Sequence, residues 1–405
     1  MSSQTKILIL SCSTGEGHNS AANAISAKLN LMGIHNEIVD VLTFRGERAR
    51  KTITGGYNAL IRKMPSVFGL MYHLGGIYDA TRLPSPIYSW NAKYADAIYD
   101  YIRDNGITCV ICAHLFAMEA MTALKRKFNT SIKCYGVLTD YTAVPFYKDT
   151  ELDGYFVPDE TVSRQLVKKG IPSEKLFITG IPVHPKFNTD YTKQEAREKL
   201  NLPADKKIIA VMTGGAGCGK IGKLCKKFDK VLDGNHLVIV FVGRNEKLKA
   251  SLDKQFAGNE KFMTVAFTSE INVYLKAADV AVSKAGGLSS TEIAVSNVPL
   301  VHLKAIPGLE TANVKFFSKH GLSLSAGSLK QAVKKTVYLL SDNQCRDTIR
   351  NLQRHFINAS ATQDLTNILT EETKNDDVFM DIVHCGWISA GRYNVLRDNS
   401  EISFA

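Results

Sequence analysis

Short apolar runs alternate with amphipathic stretches along most of this 405-residue chain, and this pattern limits its fold more than any other feature. KILILSC and LVIVFVG are continuously apolar, which is typical of strands buried on both faces of a parallel sheet. NSAANAISAKLNLMG and YADAIYDYIRDNG instead show helical periodicity and end at glycine. Strands that alternate with helices over short loops predict doubly wound parallel sheets, so we predict an α/β fold.

The alternation occurs in two sets, which predicts two domains. Between the sets lies IPVHPKFNTDYTKQEAREKLNLPADK, a stretch with three prolines and a charged helix that breaks the rhythm. We predict an N-terminal domain over 1–190, a C-terminal domain over 191–345, a helical segment over 346–372 and a tail over 373–405. The end of the tail, DIVHCGWISAGRYNVLRDNSEISFA, has a strand-like pattern and no assigned role. Because ligands of doubly wound sheets bind at the carboxyl ends of the strands, we expect the active site in the cleft between the domains.

Composition narrows the class of partner. The net charge of +11 favours an anionic partner such as nucleic acid, a phosphorylated substrate or an acidic membrane face. No secretory signal is visible, and the longest apolar run, HLVIVFVG, is too short to cross a bilayer. The eight cysteines are scattered, as expected of reduced core residues in a cytosolic protein. Cys109 and Cys112 form a CxxC, but their spacing in a predicted strand favours core residues over a metal or redox pair.

The clearest ligand-binding pattern lies in the second set, in VAVSKAGGLSSTEIA. A strand, a glycine turn and a helix start form an anion site, and Gly286 and Gly287 let the backbone approach a diphosphate closely. Ser289 can donate a further hydrogen bond, and Glu292 offers two acceptor oxygens to the hydroxyls of a ribose. An equally weighted alternative is a capped helix in which Ser289 and Glu292 complete a capping box.

Two weaker motifs flank this pattern. Glu310 and Asn313 share a helical face and could together bind the hydroxyls of a sugar, or they could simply be the solvated start of a helix. VMTGGAGCGKIGK satisfies G-x-x-x-x-G-K, but Ile221 stands where a phosphate loop needs Ser or Thr to hold magnesium. We therefore disfavour an ATPase and predict that this glycine-rich loop, including Gly215, lines the cleft.

The first set carries its own glycine loop, STGEGHNS. Gly15 and Gly17 permit close approach, and His18 is predicted at a helix N-terminus, where the dipole disfavours the imidazolium. A neutral imidazole can accept a proton from an attacking hydroxyl, although His18 could also merely cap the loop. Asp140 ends a predicted strand and could serve as the base, orient His18 or cap the next turn. His114, also at a strand end, is the weaker candidate.

A long connection, from FRGERARK to LPSPIYSW, is too long for an ordinary strand-to-helix loop. It combines many apolar and aromatic residues with a basic cluster, composed of Arg45, Arg48, Arg50, Lys51, Arg62 and Lys63. A basic, amphipathic insertion suits an anionic membrane surface, and we favour this over an ordinary helical flap with solvated charges.

The ordered motifs resemble one known family. STGEGHNSAANAI, LTDY, YFVPDE, ITGIPVHPKF, VMTGGAG, VYLKAADVAVSKAGGLSSTEIA and PGLETANVKFF are similar to those of the monogalactosyldiacylglycerol synthases and processive diacylglycerol glucosyltransferases. These enzymes are related to the bacterial peptidoglycan N-acetylglucosaminyltransferase. The resemblance runs from about Lys6 to His320 and implies a GT-B fold with two Rossmann-like domains. It also implies an inverting, metal-independent transfer of a hexose from a UDP-sugar to a lipid hydroxyl.

The resemblance assigns the donor to the second domain. It implies that Phe267 lies near the uracil, that Glu292 binds the ribose, and that the diphosphate is bound by Gly286, Gly287 and Ser289. The remaining predicted roles concern the hexose and the base. Glu310 and Asn313 would bind the hexose, and His18 matches the histidine of the family's glycine loop, with Asp140 as its main competitor.

The first domain would then receive a diacylglycerol-type lipid at the inner face of the cell membrane, with the protein cytoplasmic and peripheral. Two positions differ from the family's usual pattern: Leu309 stands where Gln is usual, and Val144 where a histidine is usual. A non-lipid acceptor and a sugar-nucleotide epimerase of the same fold are the alternatives. A nucleic-acid binder is disfavoured because the basic residues match no recognised module.

Overall fold

The computed structural model describes residues 5–79, 81, 83–214 and 220–384. Within these described residues, twelve strands form two six-stranded sheets. The strands of the first sheet are β1 (Lys6–Ser11), β2 (His35–Asp40), β3 (Cys109–Cys112), β4 (Lys133–Val137), β5 (Gly154–Val157) and β6 (Leu176–Ile178). Those of the second are β7 (Lys207–Met212), β8 (His236–Gly243), β9 (Phe262–Ala266), β10 (Val280–Ser283), β11 (Leu300–His302) and β12 (Ser323–Ser325).

Helices connect the strands and cover both sheets. Around the first sheet they are α1 (Glu16–Leu31), α2 (Glu47–Lys63), α3 (Pro65–Asp79), α4 (Tyr88–Asn91), α5 (Ala95–Asp104), α6 (Leu115–Phe128) and α7 (Glu160–Lys168). In the second half of the chain they are α8 (Lys193–Lys199), α9 (Ile221–Asp229), α10 (Glu246–Gln255), α11 (Ile271–Ala277), α12 (Gly287–Val295), α13 (Leu309–Lys319), α14 (Leu329–Ser341), α15 (Asn343–Phe356) and α16 (Ala361–His384).

The strands of both sheets are parallel, and the order in which the strands are added reverses once in each sheet. The first has the order β2-β1-β3-β4-β5-β6 and the second β12-β11-β10-β7-β8-β9. The order reverses between β1 and β3 in the first sheet and between β7 and β10 in the second. These two switch points create the crevices in which doubly wound folds bind ligands. The predicted α/β fold with two Rossmann-like sheets is confirmed.

The core explains the continuous apolar runs in the sequence. In β7, Ile208 and Ala210 pack into the cluster on one face of the sheet, whereas Ile209 and Val211 pack into the cluster on the other. Successive side chains of a strand point to opposite faces, and here helices cover both, so the strand is apolar from Ile208 to Met212, while Lys207 at its start is exposed.

The prediction that Cys109 and Cys112 are core residues is confirmed. Cys109 and Cys112 are buried, unpaired residues of β3, and the Sγ atom of Cys112 lies 3.7 Å from that of Cys134. Burial therefore accounts for this CxxC without a metal or redox role.

The long connection after β2 contains α2 and α3. Five apolar side chains on α3 are between 37% and 57% exposed, namely Val67, Leu70, Met71, Leu74 and Ile77. Their spacing of three or four residues places them along one side of the helix. We refer to these five residues as the apolar row.

The strand-like pattern predicted for the end of the chain is wrong at its start. Residues 381–384 belong to α16, and Val378 and Phe379 recur with Ile382 and Val383 at the four-residue spacing of a helix. Residues 385–405 lie outside the described part of the chain. Among the residues that are described, no helix is long and apolar enough to cross a bilayer.

Candidate functional site

A cavity of about 800 Å³ lies between the carboxyl ends of the two sheets, and we refer to it as the cleft cavity. Loops after β1 and β4 line it from the first sheet, and loops after β7, β8, β10 and β11 line it from the second. The predicted site residues that line it are Gly15, Gly17, His18, Asp140, Gly286, Gly287, Ser289 and Glu310. The fold therefore brings together residues from four motifs that are distant in the sequence.

Two smaller cavities adjoin the cleft cavity. One, of about 280 Å³, is lined by Phe267 and Glu292 and shares Gly17 and Ser289 with the cleft cavity. We call it the nucleoside cavity, after the roles predicted for its residues. The other, of about 240 Å³, shares His18 and Asp140 with the cleft cavity and is lined mostly by apolar side chains. We call it the apolar cavity.

The apolar cavity lies under α3. Met71 of the apolar row and Gly75 contribute to its wall, as do Val144 and Leu309. Val144 and Leu309 are the two positions noted above, at which the family resembled by the sequence usually has His and Gln, respectively. The cavity therefore connects His18 with the exposed apolar side of α3 through a largely apolar lining.

His18 is partly buried in the first turn of α1, as predicted. Its Nδ1 atom lies 2.9 Å from the carbonyl oxygen of Ala113 and 3.1 Å from the hydroxyl of Thr139. Because a carbonyl can only accept, Nδ1 carries the proton and Nε2 keeps its lone pair. Burial lowers the pKa of His18 to about 4, partly offset by the bond to Ala113, so the ring is neutral at pH 7. Burial, rather than the helix dipole that we predicted, is the main cause.

His114 packs beside His18. Its Nδ1 atom accepts a hydrogen bond from the N–H of Phe116 at 3.0 Å and caps α6. Its Nε2 atom therefore carries the proton and donates to the hydroxyl of Thr14, 3.1 Å away. The rings of His18 and His114 meet edge to face at 4.5 Å, and burial lowers the pKa of His114 well below its usual value. His114 thus supports the position of His18.

Asp140 projects from the loop after β4 to the second domain. Its Oδ1 atom accepts from the amide of Asn313 at 2.7 Å, and its carboxylate also accepts from the backbone N–H of Gly287. Burial raises the pKa of Asp140 to about 6, although both of these hydrogen bonds oppose the shift. The carboxylate therefore bridges the two domains beside the cleft cavity.

Asn313 is fully buried, and both ends of its amide are bound. Its nitrogen donates to Asp140 and to the carbonyl of Ala285, and its oxygen accepts from the N–H of Tyr141 at 2.9 Å. We predicted that Asn313 binds the hexose. The geometry favours a different role, because Asn313 holds the loop that carries Asp140.

Tyr141 anchors the same loop, although it was not among the predicted site residues. The ring of this first-domain residue stacks on Phe316 at 4.1 Å, and its hydroxyl lies 2.8 Å from that of Thr291. It belongs to the buried cluster of the second domain. In the sequence, only its position in LTDY directly after Asp140 could have indicated this role, because Phe316, on which its ring stacks, is about 170 residues away.

Gly287 permits a close approach between the two domains. A Cβ atom built on it would lie 2.0 Å from the carbonyl oxygen of Thr139 and 3.0 Å from Oδ1 of Asp140. No side chain fits there, so glycine is required at this position for a reason that differs from the predicted contact with a diphosphate. Gly286 is the N-cap residue of α12, which has no side-chain cap, so the alternative capping box of Ser289 and Glu292 does not form.

The nucleoside cavity contains the acidic and aromatic residues predicted for it. Burial raises the pKa of Glu292 to about 7, while the nearby Lys186 opposes the shift. The ring of Phe267 is 65% exposed, and the guanidinium of Arg244 lies 4.9 Å from its centroid. Phe267 is therefore free to present one of its faces to a planar ligand.

The remaining predicted residues differ in outcome. Glu310 lies in the first turn of α13, where its carboxylate accepts from the N–H of Ile306 at 2.9 Å and pairs with Lys284 at 3.4 Å. Gly215 lies outside the described residues. Ile221 is buried at the start of α9, in agreement with the argument against a phosphate loop.

Two family models match the chain. The first, described as monogalactosyldiacylglycerol (MGDG) synthase, matches residues 18–183. The second, described as glycosyltransferase family 28 C-terminal domain, matches residues 208–355. The boundary between the two matches falls in the proline-containing stretch that separates the two sheets.

One relative and two solved structures illustrate the likeness. The processive diacylglycerol beta-glucosyltransferase of Bacillus mycoides (strain KBAB4) is 28% identical over 361 residues, which cover 86% of this chain and 90% of the relative. The crystal structure of Acinetobacter baumannii MurG gives a TM-score of 0.56 at 14% identity, over 91% of this chain and 99% of that chain. The UDP-GlcNAc 2-epimerase from Neisseria meningitidis bound to UDP-GlcNAc gives 0.57 at 12% identity, over 91% and 100%. At such low identities the two structures support the fold alone.

Proposed function

We propose that this chain is a member of the family of monogalactosyldiacylglycerol synthases and processive diacylglycerol glucosyltransferases, and that it transfers a hexose from a UDP-sugar to the hydroxyl of a diacylglycerol-type lipid. One observation carries the proposal beyond family membership. His18, whose Nε2 atom keeps its lone pair, lines both the cleft cavity and the apolar cavity. A neutral base at the meeting point of a polar and an apolar cavity suits a reaction between a sugar nucleotide and a lipid.

In the proposed reaction the lipid occupies the apolar cavity and presents its hydroxyl to His18. Nε2 accepts the hydroxyl proton while the oxygen forms a bond to the anomeric carbon of the hexose. The bond from that carbon to the diphosphate breaks, and UDP leaves with the electron pair. Attack from the face opposite the leaving group inverts the anomeric configuration.

We propose that the start of α12 stabilises the departing diphosphate without a metal. Among the described residues, the backbone N–H groups of Leu288 and Ser289 have no hydrogen-bond partner, and both residues line the cleft cavity. Such N–H groups, together with the helix dipole, favour an anion. The N–H of Gly287 is already bound to Asp140, so the diphosphate would lie one residue further along the helix than we predicted.

Asp140 is the competing candidate for the base. Although burial raises the pKa of Asp140 to about 6, its carboxylate already accepts two hydrogen bonds from the second domain and is therefore engaged within the protein. We therefore assign it the role of holding the cleft closed and His18 the transfer of the proton.

We further propose that α3 docks on the anionic inner face of the cell membrane. The apolar row is exposed, and one of its members, Met71, also lines the apolar cavity. The net charge of +11 would favour anionic lipids, and the basic residues Arg48 and Lys51 lie on the adjacent α2. A lipid could then pass from the bilayer to His18 along an apolar route.

This docking can be separated from catalysis by comparing two acceptors. The double variant Leu70→Glu/Leu74→Glu should lose most transfer to diacylglycerol held in anionic vesicles, because carboxylates cannot enter the acyl boundary. It should retain transfer to a short-chain diacylglycerol dispersed in solution. Product formation is measured by mass spectrometry.

Val231→Glu provides the matched control, since Val231 is 57% exposed but lies beyond β7 in the second half of the chain. It should leave both activities unchanged. Equal loss with both acceptors in the α3 variant would indicate damage to the apolar cavity instead, and full activity on vesicles would disprove docking through α3.

A further inference from the structure

Arg244 directly follows β8 and lies where the cleft cavity meets the nucleoside cavity. Of the predicted site residues, Gly17 and Ser289 also lie at this junction. In a UDP-sugar the diphosphate connects the nucleoside to the sugar, so a donor that fills both cavities must carry its two phosphates past this junction. Arg244 is the arginine that the described residues place there.

The present partner of Arg244 is a carboxylate from the other domain. Its Nη1 atom lies 3.1 Å from Oε1 of Glu16, the first residue of α1, which also lines both cavities. The two side chains are 66% and 47% exposed. An ion pair that exposed contributes little to stability, so it can be exchanged at low cost.

We propose that Arg244 binds the donor diphosphate and that Glu16 is its exchange partner, which takes the guanidinium back when UDP leaves. This inference rests on the proposed function, because it assumes a UDP-sugar donor. A guanidinium forms two parallel hydrogen bonds to a phosphate, which are stronger than its exposed contact with Glu16. The donor therefore displaces Glu16, and the guanidinium remains close to Phe267 throughout.

The exchange has a consequence for the product. UDP carries more negative charge than the donor, so Arg244 alone would retain it. Glu16 competes with the diphosphate for the same guanidinium. It therefore weakens the binding of UDP, and an enzyme without this carboxylate would hold its product more tightly.

The proposal predicts opposite effects from the two partners. We expect Arg244→Ala to weaken UDP binding by about 10–100-fold, because charged hydrogen bonds are lost. We expect Glu16→Gln to tighten it by up to about five-fold, the range set by an exposed ion pair. In the Arg244→Ala background, Glu16→Gln should no longer tighten UDP binding, because Glu16 then has no guanidinium for which to compete with UDP. The dissociation constant of UDP is measured by calorimetry.

The matched controls come from the exposed pair of Glu160 and Arg164 on α7, whose charged atoms are 3.6 Å apart. Glu160→Gln and Arg164→Ala should leave UDP binding unchanged. If the unaltered protein binds no UDP, the proposed function itself fails. If it binds UDP but Arg244→Ala does not weaken binding, or Glu16→Gln does not tighten it, the donor assignment stands and the exchange is wrong.

Discussion

Replacing His18 with alanine is expected to reduce hexose transfer by about 10²–10⁴-fold, the usual contribution of a positioned general base. The dissociation constant of UDP should stay close to the wild-type value, because His18 does not line the nucleoside cavity. The loss should therefore appear in kcat, measured as glycolipid formed under saturating donor. Burial keeps the pKa of His18 at about 4, so the unprotonated base is fully available at neutral pH.

Two further variants make this result specific. His355→Ala removes an exposed imidazole from α15 and should leave the rate unchanged. Asp140→Asn keeps the size of the side chain and its ability to accept from Asn313, and it should lose less activity than His18→Ala. The reverse order would assign the base to Asp140, and an equal loss of UDP binding in His18→Ala would remove its catalytic role.

The second large effect is expected from Gly287→Ala. The added Cβ would lie 2.0 Å from the carbonyl oxygen of Thr139, so the loop that carries Asp140 must move away from α12. Overpacking of this kind typically costs about 1–3 kcal/mol, and a displacement of about 1 Å in a catalytic group can cost about 100-fold in rate. We therefore expect both a lower Tm and a loss of transfer.

Gly286→Ala is the matched control for stability. Gly286 has an ordinary φ of −72°, and nothing lies within 4 Å of a Cβ added there. Its Tm should remain close to the wild-type value. If the two variants melt at the same temperature, the contact between Thr139 and Gly287 does not hold the domains together in solution.

The fold could be predicted because its signals are local. The central strands of each sheet are buried on both faces, so runs such as IIAVM in β7 are continuously apolar and stand out from the helices around them. The glycine loops after β1 and β10 could also be placed, because the carboxyl ends of parallel strands share one edge of a sheet. His18 and Ser289 therefore line the cleft cavity as expected.

The contacts between the domains could not be predicted, because they pair residues that are far apart in the sequence. The sequence around Asn313 predicted only the polar start of a helix, and nothing in PGLETANVKFF indicates that the Asn313 amide binds Asp140. Arg244 follows a strand in VFVGRN and was not among the predicted site residues, since its partner Glu16 is 228 positions away. The cause of the neutral His18 was also inaccessible, because burial depends on the assembled cleft.

The central claim is direct displacement of UDP by a lipid hydroxyl, and the anomeric configuration of the product tests it most directly. The protein is incubated with a panel of α-linked UDP-hexoses and diacylglycerol in anionic vesicles, and the glycolipid is characterised by mass spectrometry and by its proton coupling constants. We predict a β-linked hexosyl diacylglycerol, with one UDP released for each bond formed. An α-linked product, or an epimerised UDP-sugar with no glycolipid, would contradict the mechanism.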